Sequence, residues 1–339
     1  MRRLEKITML MLGLLCGCSH KSVTKDVLTP DYLLAQGLRQ ITFQGDNEHP
    51  RFSPDGIKLL YSSRSRVAHK GAQIYEMDLT KNKERRVTFS DGDAFDPSYV
   101  SDDEILYAST TDEIKESPFI NKTYDKDFPP SDLYMSDRFG GDIERLTQQP
   151  GFDGEGLFVQ QPKDSFILFT SKRAELLGIY RLETKHAVIS FLAASADKDR
   201  RSPTISPDHK QIAFIEKDKK TQEQSLQLYN LKTRKTEVMK SGEGLYRDLI
   251  FAPRSPDRVF YSVLRKGEKQ YQIEMYDLAE KCTQVVFKGT DSLTSPVLSD
   301  DSIEKLAFAR SFQEKKQIYI APLPQNLGPC LENSKPVVK

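Results

Sequence analysis

Residues 49–79 read HPRFSPDGIKLLYSSRSRVAHKGAQIYEMDL, and this stretch decides the fold. Arg51 and Phe52 lead into Ser53-Pro54-Asp55-Gly56, after which Ile57 to Tyr61 is largely apolar and β-favouring. Pro54 pre-sets φ for the first central position of a β-turn, and Gly56 tolerates the positive φ needed to leave it. Apolar runs on both sides of such a turn mark a hairpin. After a second break, Ser62 to Gly71, another short strand runs from Gln73 to Leu79.

The pattern recurs. The aromatic closing the second strand appears as Tyr61, Tyr107, Phe169, Phe214, Tyr261 and Phe308, at intervals of 46, 62, 45, 47 and 47. The third-strand tyrosine appears as Tyr75, Tyr134, Tyr180, Tyr229, Tyr276 and Tyr319, at 59, 46, 49, 47 and 43. Two independent markers share one period of about 45 residues with several short strands per unit, which means the blades of a β-propeller. The expected fold is all-β: six four-stranded antiparallel blades. A further strand-like copy, Arg39-Gln40-Ile41-Thr42-Phe43, matches Arg86-Val87-Thr88-Phe89 and Arg145-Leu146-Thr147. Those two follow a third strand, whereas the first has no blade before it. It is therefore expected to complete the last blade and close the ring, removing an open sheet edge.

The segments HPRFSPDGIKLLYSSRS…QIYEMDL and RRVTFSDGDAFDPSYVSDDEILYAST resemble the PD-type, WD-like repeats of the TolB propeller family. Ser206-Pro207-Asp208-His209 keeps most of the turn, with His209 in the glycine-like place. Ser101-Asp102-Asp103, Pro162-Lys163-Asp164, Ser255-Pro256-Asp257 and Ser299-Asp300-Asp301 are degraded copies. The resemblance covers about residues 38–324. It implies a periplasmic, non-enzymatic, protein-binding propeller. TolB also carries an N-terminal α/β domain and works with Pal and the rest of the Tol system, and room for that domain is not expected here.

The chain opens with Arg2, Arg3 and Lys6 before the apolar run Ile7 to Leu15, too short to span a bilayer but suited to a secretory signal. Leu15-Cys16-Gly17-Cys18 resembles a bacterial lipobox, which makes Cys18 the expected lipidation site. Ser19 after it implies outer-membrane sorting by resemblance to other bacterial lipoproteins, and acyl chains on one residue anchor stably. Residues 1–17 are read as signal peptide, 18–37 as anchor and tether, 38–330 as propeller and 331–339 as disordered tail.

Losing Arg2, Arg3, Lys6 and Glu5 takes the formal charge from +1 to −1, so nothing marks a nucleic-acid binder. Cys282 and Cys330 remain in the mature chain. An oxidising compartment permits their pairing, and the Pro-rich run Pro322 to Pro329 offers a path across to a neighbouring blade. Spacing alone leaves that pairing open.

From Tyr107 to Tyr134 is 27 residues, against 14 from Tyr61 to Tyr75. The excess, Asp112 to Ser131, is polar but carries Phe119, Tyr124 and Phe128, and reads either as a disordered insertion or as a partner-binding loop. The pairs ahead of each first strand, Glu48-His49, Phe95-Asp96, Gly154-Glu155, Arg201-Ser202, Arg247-Asp248 and Thr294-Ser295, are expected at the channel mouth. His49, Asp96, Glu155, Arg201 and Arg247 are the candidate partner-contacting residues, on the same face as the insertion.

Catalytic signatures are missing. The five histidines show no His-x-His or His-Glu-x-x-His spacing, and no Gly-x-Ser-x-Gly elbow occurs. No enzyme activity, cofactor or metal is expected. The expected role is a monomeric scaffold for an envelope or peptidoglycan-associated protein, membrane-bound through its lipid. A carbohydrate-acting lyase-like propeller, needing a metal-bearing cluster around His49, and a sensor of a small polar ligand are the alternatives.

Overall fold

A computed structural model describes residues 37–114, 117, 124–312, 314–325, 327, 330 and 331. The expected signal peptide, Cys18, the tether, Phe119 and nearly all of the tail lie outside these residues. Among the described residues, 24 strands form six four-stranded antiparallel sheets and no helix is present.

In chain order, β1 (Arg39–Gln40) precedes the first blade, which comprises β2 (Asp46–Phe52), β3 (Lys58–Arg64), β4 (Gln73–Asp78) and β5 (Lys83–Arg86). The second has β6 (Ala94–Tyr99), β7 (Glu104–Ser109), β8 (Asp132–Asp137) and β9 (Glu144–Arg145). The third has β10 (Asp153–Val159), β11 (Phe166–Arg173), β12 (Leu176–Glu183) and β13 (Val188–Ala193). The fourth has β14 (Lys198–Ile205), β15 (Gln211–Asp218), β16 (Gln224–Asn230) and β17 (Lys235–Ser241). The fifth has β18 (Gly244–Ala252), β19 (Ser255–Arg265), β20 (Gln272–Asp277) and β21 (Cys282–Phe287). The sixth has β22 (Leu293–Leu298), β23 (Lys305–Phe312) and β24 (Lys315–Pro322), with β1 against β24 as its outer strand, Arg39 opposite Ile320.

The apolar core is divided among the seams between blades. Six clusters of buried side chains occur, one per seam. The seam between the sixth and first blades packs Leu59, Tyr61 and Met77 against Val297, Ala309 and Ile318, so the blades form a ring. Both aromatic markers lie in these seams. Tyr61 pairs across strands with Tyr75, Tyr107 with Tyr134, Phe169 with Tyr180 and Phe308 with Tyr319. In the fourth and fifth blades the tyrosine stands two residues off: Phe214 faces Gln227 and Tyr261 faces Glu274.

The outer-strand motif has a hydrogen-bonding reason. The hydroxyls of Thr42, Thr88 and Thr147 accept the N–H of Ile318, Ile74 and Leu133 at 2.8, 2.9 and 3.0 Å. They donate to the side chains of Gln317, Gln73 and Asp132. A threonine thus extends the ladder by one rung where the outer strand ends and satisfies a further donor on the third strand. The Ser-Pro-Asp-Gly turn is closed similarly. Ser53 Oγ accepts the Lys58 N–H at 2.9 Å, while Gly56 takes φ +70°. His209 fills that place in the fourth blade at φ +56°.

Ser255-Pro256-Asp257 is not a turn. It begins β19, because the tight connection Pro253-Arg254 sets Ala252 opposite Ser255. Beyond β24 the chain returns to the fifth blade. Cys330 is disulfide-bonded to Cys282, with Cα atoms 5.5 Å apart, and the Leu331 N–H donates to Thr283 O at 2.7 Å.

Candidate functional site

The site grows from an irregularity repeated six times. Each innermost strand bulges, so that two of its residues oppose one on the second strand. His49 and Pro50 share Tyr61, and Asp96 and Pro97 share Tyr107. Glu155 and Gly156 share Phe169, Ser202 and Pro203 share Phe214. Asp248 and Leu249 share Tyr261, and Ser295 and Pro296 share Phe308. The first residue of every bulge is left-handed: His49, Asp96, Glu155, Ser202, Asp248 and Ser295 have φ between +51° and +55°. These residues therefore lie within the first strands, not ahead of them as the sequence reading had it.

Left-handed backbone favours glycine, yet none of the six is glycine. At three of them the side chain explains why. Asp96 accepts the N–H of Glu155 at 3.4 Å, Glu155 accepts that of Ser202 at 2.6 Å, and Asp248 accepts that of Ser295 at 2.9 Å. In each case the bulge of one blade satisfies the exposed donor in the bulge of the next. Glu155 also accepts from Ser202 Oγ at 2.8 Å and Thr170 Oγ1 at 2.5 Å. Polar contacts thus tie the second blade to the third, the third to the fourth and the fifth to the sixth at the channel.

His49 lies between two of these acids, its Nδ1 2.7 Å from Asp96 Oδ1 and its Nε2 3.9 Å from Asp248 Oδ1. The Asp96 contact has hydrogen-bond length but poor alignment, leaving Nδ1 without a well-formed bond, so it is best described as an ion pair. Burial disfavours the imidazolium, but Asp96, Glu48 and Asp248 outweigh it and raise the His49 pKa. Burial likewise works against charge on Glu48, and Lys316, Arg64 and His49 overcome it to hold the carboxyl well below its usual range.

The candidate residues His49, Asp96, Glu155, Arg201 and Arg247 all line one cavity of about 310 Å³ at the channel mouth. Two residues the sequence reading did not select also belong to it. Arg51 lies two positions past the left-handed residue, where it read as an ordinary strand position. Lys126 comes from the insertion. Asp248 completes the wall.

The insertion between β7 and β8 folds toward this mouth, with Lys126, Asp127 and Pro129 joining the cavity wall. Arg145 on β9 holds both its ends, reaching Glu113 at 2.5 Å and Asp132 at 3.1 Å. Ser131 pairs with Phe152 ahead of β10, its N–H donating to Gly151 O at 3.0 Å. Phe128 packs edge-on against Phe152, ring centres 5.2 Å apart, and so holds the loop down. Gly154 leaves the space for this: a Cβ there would stand 2.4 Å from the Phe152 ring. Tyr124 is half-buried.

Among the described residues, no three His, Cys, Asp or Glu side chains are arranged to hold a metal ion. His69 is occupied elsewhere, with its ring nitrogens 2.8 Å from Gly71 O and from the Tyr75 hydroxyl.

No protein-family model matches the chain, and no curated protein matches its sequence. Solved structures do match. TolB from Acinetobacter baumannii superposes with a TM-score of 0.60 at 18% identity, over 74% of this chain and 56% of its own. A putative TolB from Agrobacterium tumefaciens gives 0.59 at 14%, over 84% and 94% respectively. An oligogalacturonate lyase in complex with manganese gives 0.58 at 14%, over 84% and 80%. The protein is a TolB-like six-bladed propeller in architecture. The chain spans little more than half the length of the Acinetobacter TolB, and identities this low speak for the fold alone.

Proposed function

We propose that this protein is a lipid-anchored propeller of the bacterial envelope that binds a protein partner on its insertion-bearing face and catalyses no reaction. The observation that carries the reading is the insertion, whose Lys126 to Pro129 segment is pinned over the channel mouth and extends the wall of a mixed-charge cavity. Long loops fixed in a compact fold are characteristically functional. The inner-ring carboxylates are engaged by neighbouring backbone and hydroxyl donors, which leaves little free acid–base machinery. The anchor rests on the lipobox ending at Cys18, and the two TolB structures are in keeping with an interaction role.

The test is in-cell crosslinking followed by capture of the tagged, full-length chain and mass spectrometry of what is retained. Replacing residues 115–130 by a short Gly-Ser linker should abolish retention of the partner while the propeller stays folded. Retention by the linker variant equal to wild type would refute the binding face. The likeness to oligogalacturonate lyase favours a second reading, and formation of unsaturated uronide from oligogalacturonate with manganese present would replace the scaffold with an enzyme.

A further inference from the structure

The cavity's acids and cations differ in how they are engaged. Glu48 is paired with Arg64 at 2.7 Å and with Lys316. Asp96, Glu155 and Asp248 accept backbone N–H groups across the seams. Their negative charge is thus partly spent inside the wall; of the other two acids lining the cavity, Asp46 accepts the Lys316 N–H at 2.8 Å and Asp127 belongs to the insertion. Three arginines lining the same cavity have no carboxylate within ion-pair distance among the described residues. Among the described residues Arg51 donates only to its neighbouring carbonyl, Pro50 O, at 2.9 Å. Arg247 lies over the Tyr271 ring, 5.7 Å from its centre, and Arg201 has no hydrogen-bond partner among the described residues.

Fixing three guanidinium groups around one small, partly desolvated cavity is costly, and a guanidinium presents a planar fork of donors suited to a carboxylate. Burial pulls the Arg51 pKa down against the pull of Asp96, Asp248 and Glu155, whereas at Arg247 the neighbouring Asp248 outweighs burial and raises it, so Arg51 is the less compensated of these two. Arg51, Arg201 and Arg247 come from the innermost strands of the first, fourth and fifth blades, so their heads approach the channel from different sides. Lys126 from the insertion adds a fourth cation at the rim.

We propose that the channel mouth is a carboxylate-binding site in which Arg51, Arg201 and Arg247 grip an anionic group delivered from the insertion-bearing face. The inference rests on that face being the binding face and adds the chemistry it recognises. A carboxylate can be delivered by an acidic segment or C-terminus of a protein, or by a free small polycarboxylate. Either would complete the coordination that the wall leaves unfinished, at a position where water is already partly excluded.

The experiment uses the full mature chain with three probes: citrate, a Glu-rich hexapeptide and a Lys-rich hexapeptide, each titrated calorimetrically at low salt. Citrate or the acidic peptide should bind and the basic peptide should not. Arg201→Ala and Arg247→Ala should each weaken binding at least about tenfold, while Arg201→Lys, which keeps the charge and loses the fork, should lie between. Binding should also weaken as salt is raised. Absence of binding by both acidic probes, or unchanged affinity in both alanine variants, would overturn the proposal.

The arms separate this proposal from the partner reading. Partner capture abolished by the linker variant, yet indifferent to citrate and to both arginine changes, would keep the binding face and overturn the carboxylate site. Citrate binding through the arginines, with no partner captured by the wild type, would keep the carboxylate site and overturn the protein-scaffold reading.

Discussion

Glu155→Ala removes the most heavily engaged member of the inner ring. It deletes the acceptor for Ser202 N at 2.6 Å, Ser202 Oγ at 2.8 Å and Thr170 Oγ1 at 2.5 Å. Hydrogen bonds to a charged group contribute about 1.5–3 kcal/mol each. The three share one carboxylate, and the Glu155 side chain is half-exposed to the channel, where water can replace part of what is lost. A net cost of about 3 kcal/mol is the reasonable figure, and for a domain of this size each kcal/mol moves Tm by about 2–4 °C. The expected fall is therefore about 6–12 °C, measured by circular dichroism on the purified mature chain. Glu155→Gly would lose the same bonds but relieve the left-handed backbone at φ +52°, so it should be more stable than the alanine variant by about 1 kcal/mol. A Tm change within about 2 °C for Glu155→Ala would refute the claim that this carboxylate ties the third blade to the fourth.

Deleting residues 32–43 removes β1 and Ile41, whose buried side chain and N–H bond to Ile318 O complete the outer edge of the sixth blade. Stability should fall by about 3 kcal/mol from lost burial and backbone bonding, and an unchanged Tm would show that the ring is held shut without it. Cys330→Ser opens a link between residues 48 apart in sequence, which the chain-entropy estimate values at up to about 4 kcal/mol. Denaturant unfolding with and without reductant should place the variant with the reduced wild type. Burial pushes the Asp153 carboxyl up to about 6, despite the Arg173 ion pair at 2.9 Å. The unfolded chain gives up that proton near pH 3.8, so the stabilisation is complete below about pH 4 and lost as pH rises through 6. Between pH 4 and 7, urea midpoints for wild type should therefore decline more steeply than for Asp153→Asn, and parallel curves would contradict the assignment.

The architecture was legible because the marker aromatics do one job in every blade. Tyr61 and its five equivalents are buried in the seams and stand opposite the bulge, so their type hardly varies. The third-strand tyrosine was a looser guide, since its register slips by two in the fourth and fifth blades. The bulges themselves were hidden. Left-handed residues usually announce themselves as glycine, and here they are His, Asp, Glu, Ser, Asp and Ser. The available signal was the proline after four of them, at Pro50, Pro97, Pro203 and Pro296: within a strand, proline is confined to edges, strand starts and bulges. Without the bulges, the ring was read as lying ahead of the first strands. Arg51 was overlooked for the same reason, because the extra bulge residue changes which later side chains face the channel. Phe128 read as a free anchor, since nothing in an extended polar loop told of Phe152 beneath it.

Closure of the inner ring and recognition at its mouth fall on different positions of one repeated motif. At Asp96, Glu155 and Asp248 the left-handed residue supplies the acceptor for the next blade, and that duty excludes most substitutions. The residue before it varies more, the six being Glu, Phe, Gly, Arg, Arg and Thr, although Glu48 ties to Lys316 of the sixth blade and Gly154 makes room for Phe152. Arg201 and Arg247 occupy this freer position and line the cavity without anchoring any seam through a hydrogen bond among the described residues. Ligand preference can therefore change without disturbing the ring. Arg201→Ala should leave Tm within about 2 °C of wild type, because half-exposed surface substitutions cost little. One position along the same strand, Ser202→Ala should lower Tm, because it removes the hydroxyl donor to Glu155 at 2.8 Å and costs about 1 kcal/mol or more. If Arg201→Ala proved the more destabilising of these adjacent changes, the division between ring-building and ligand-facing positions would be wrong.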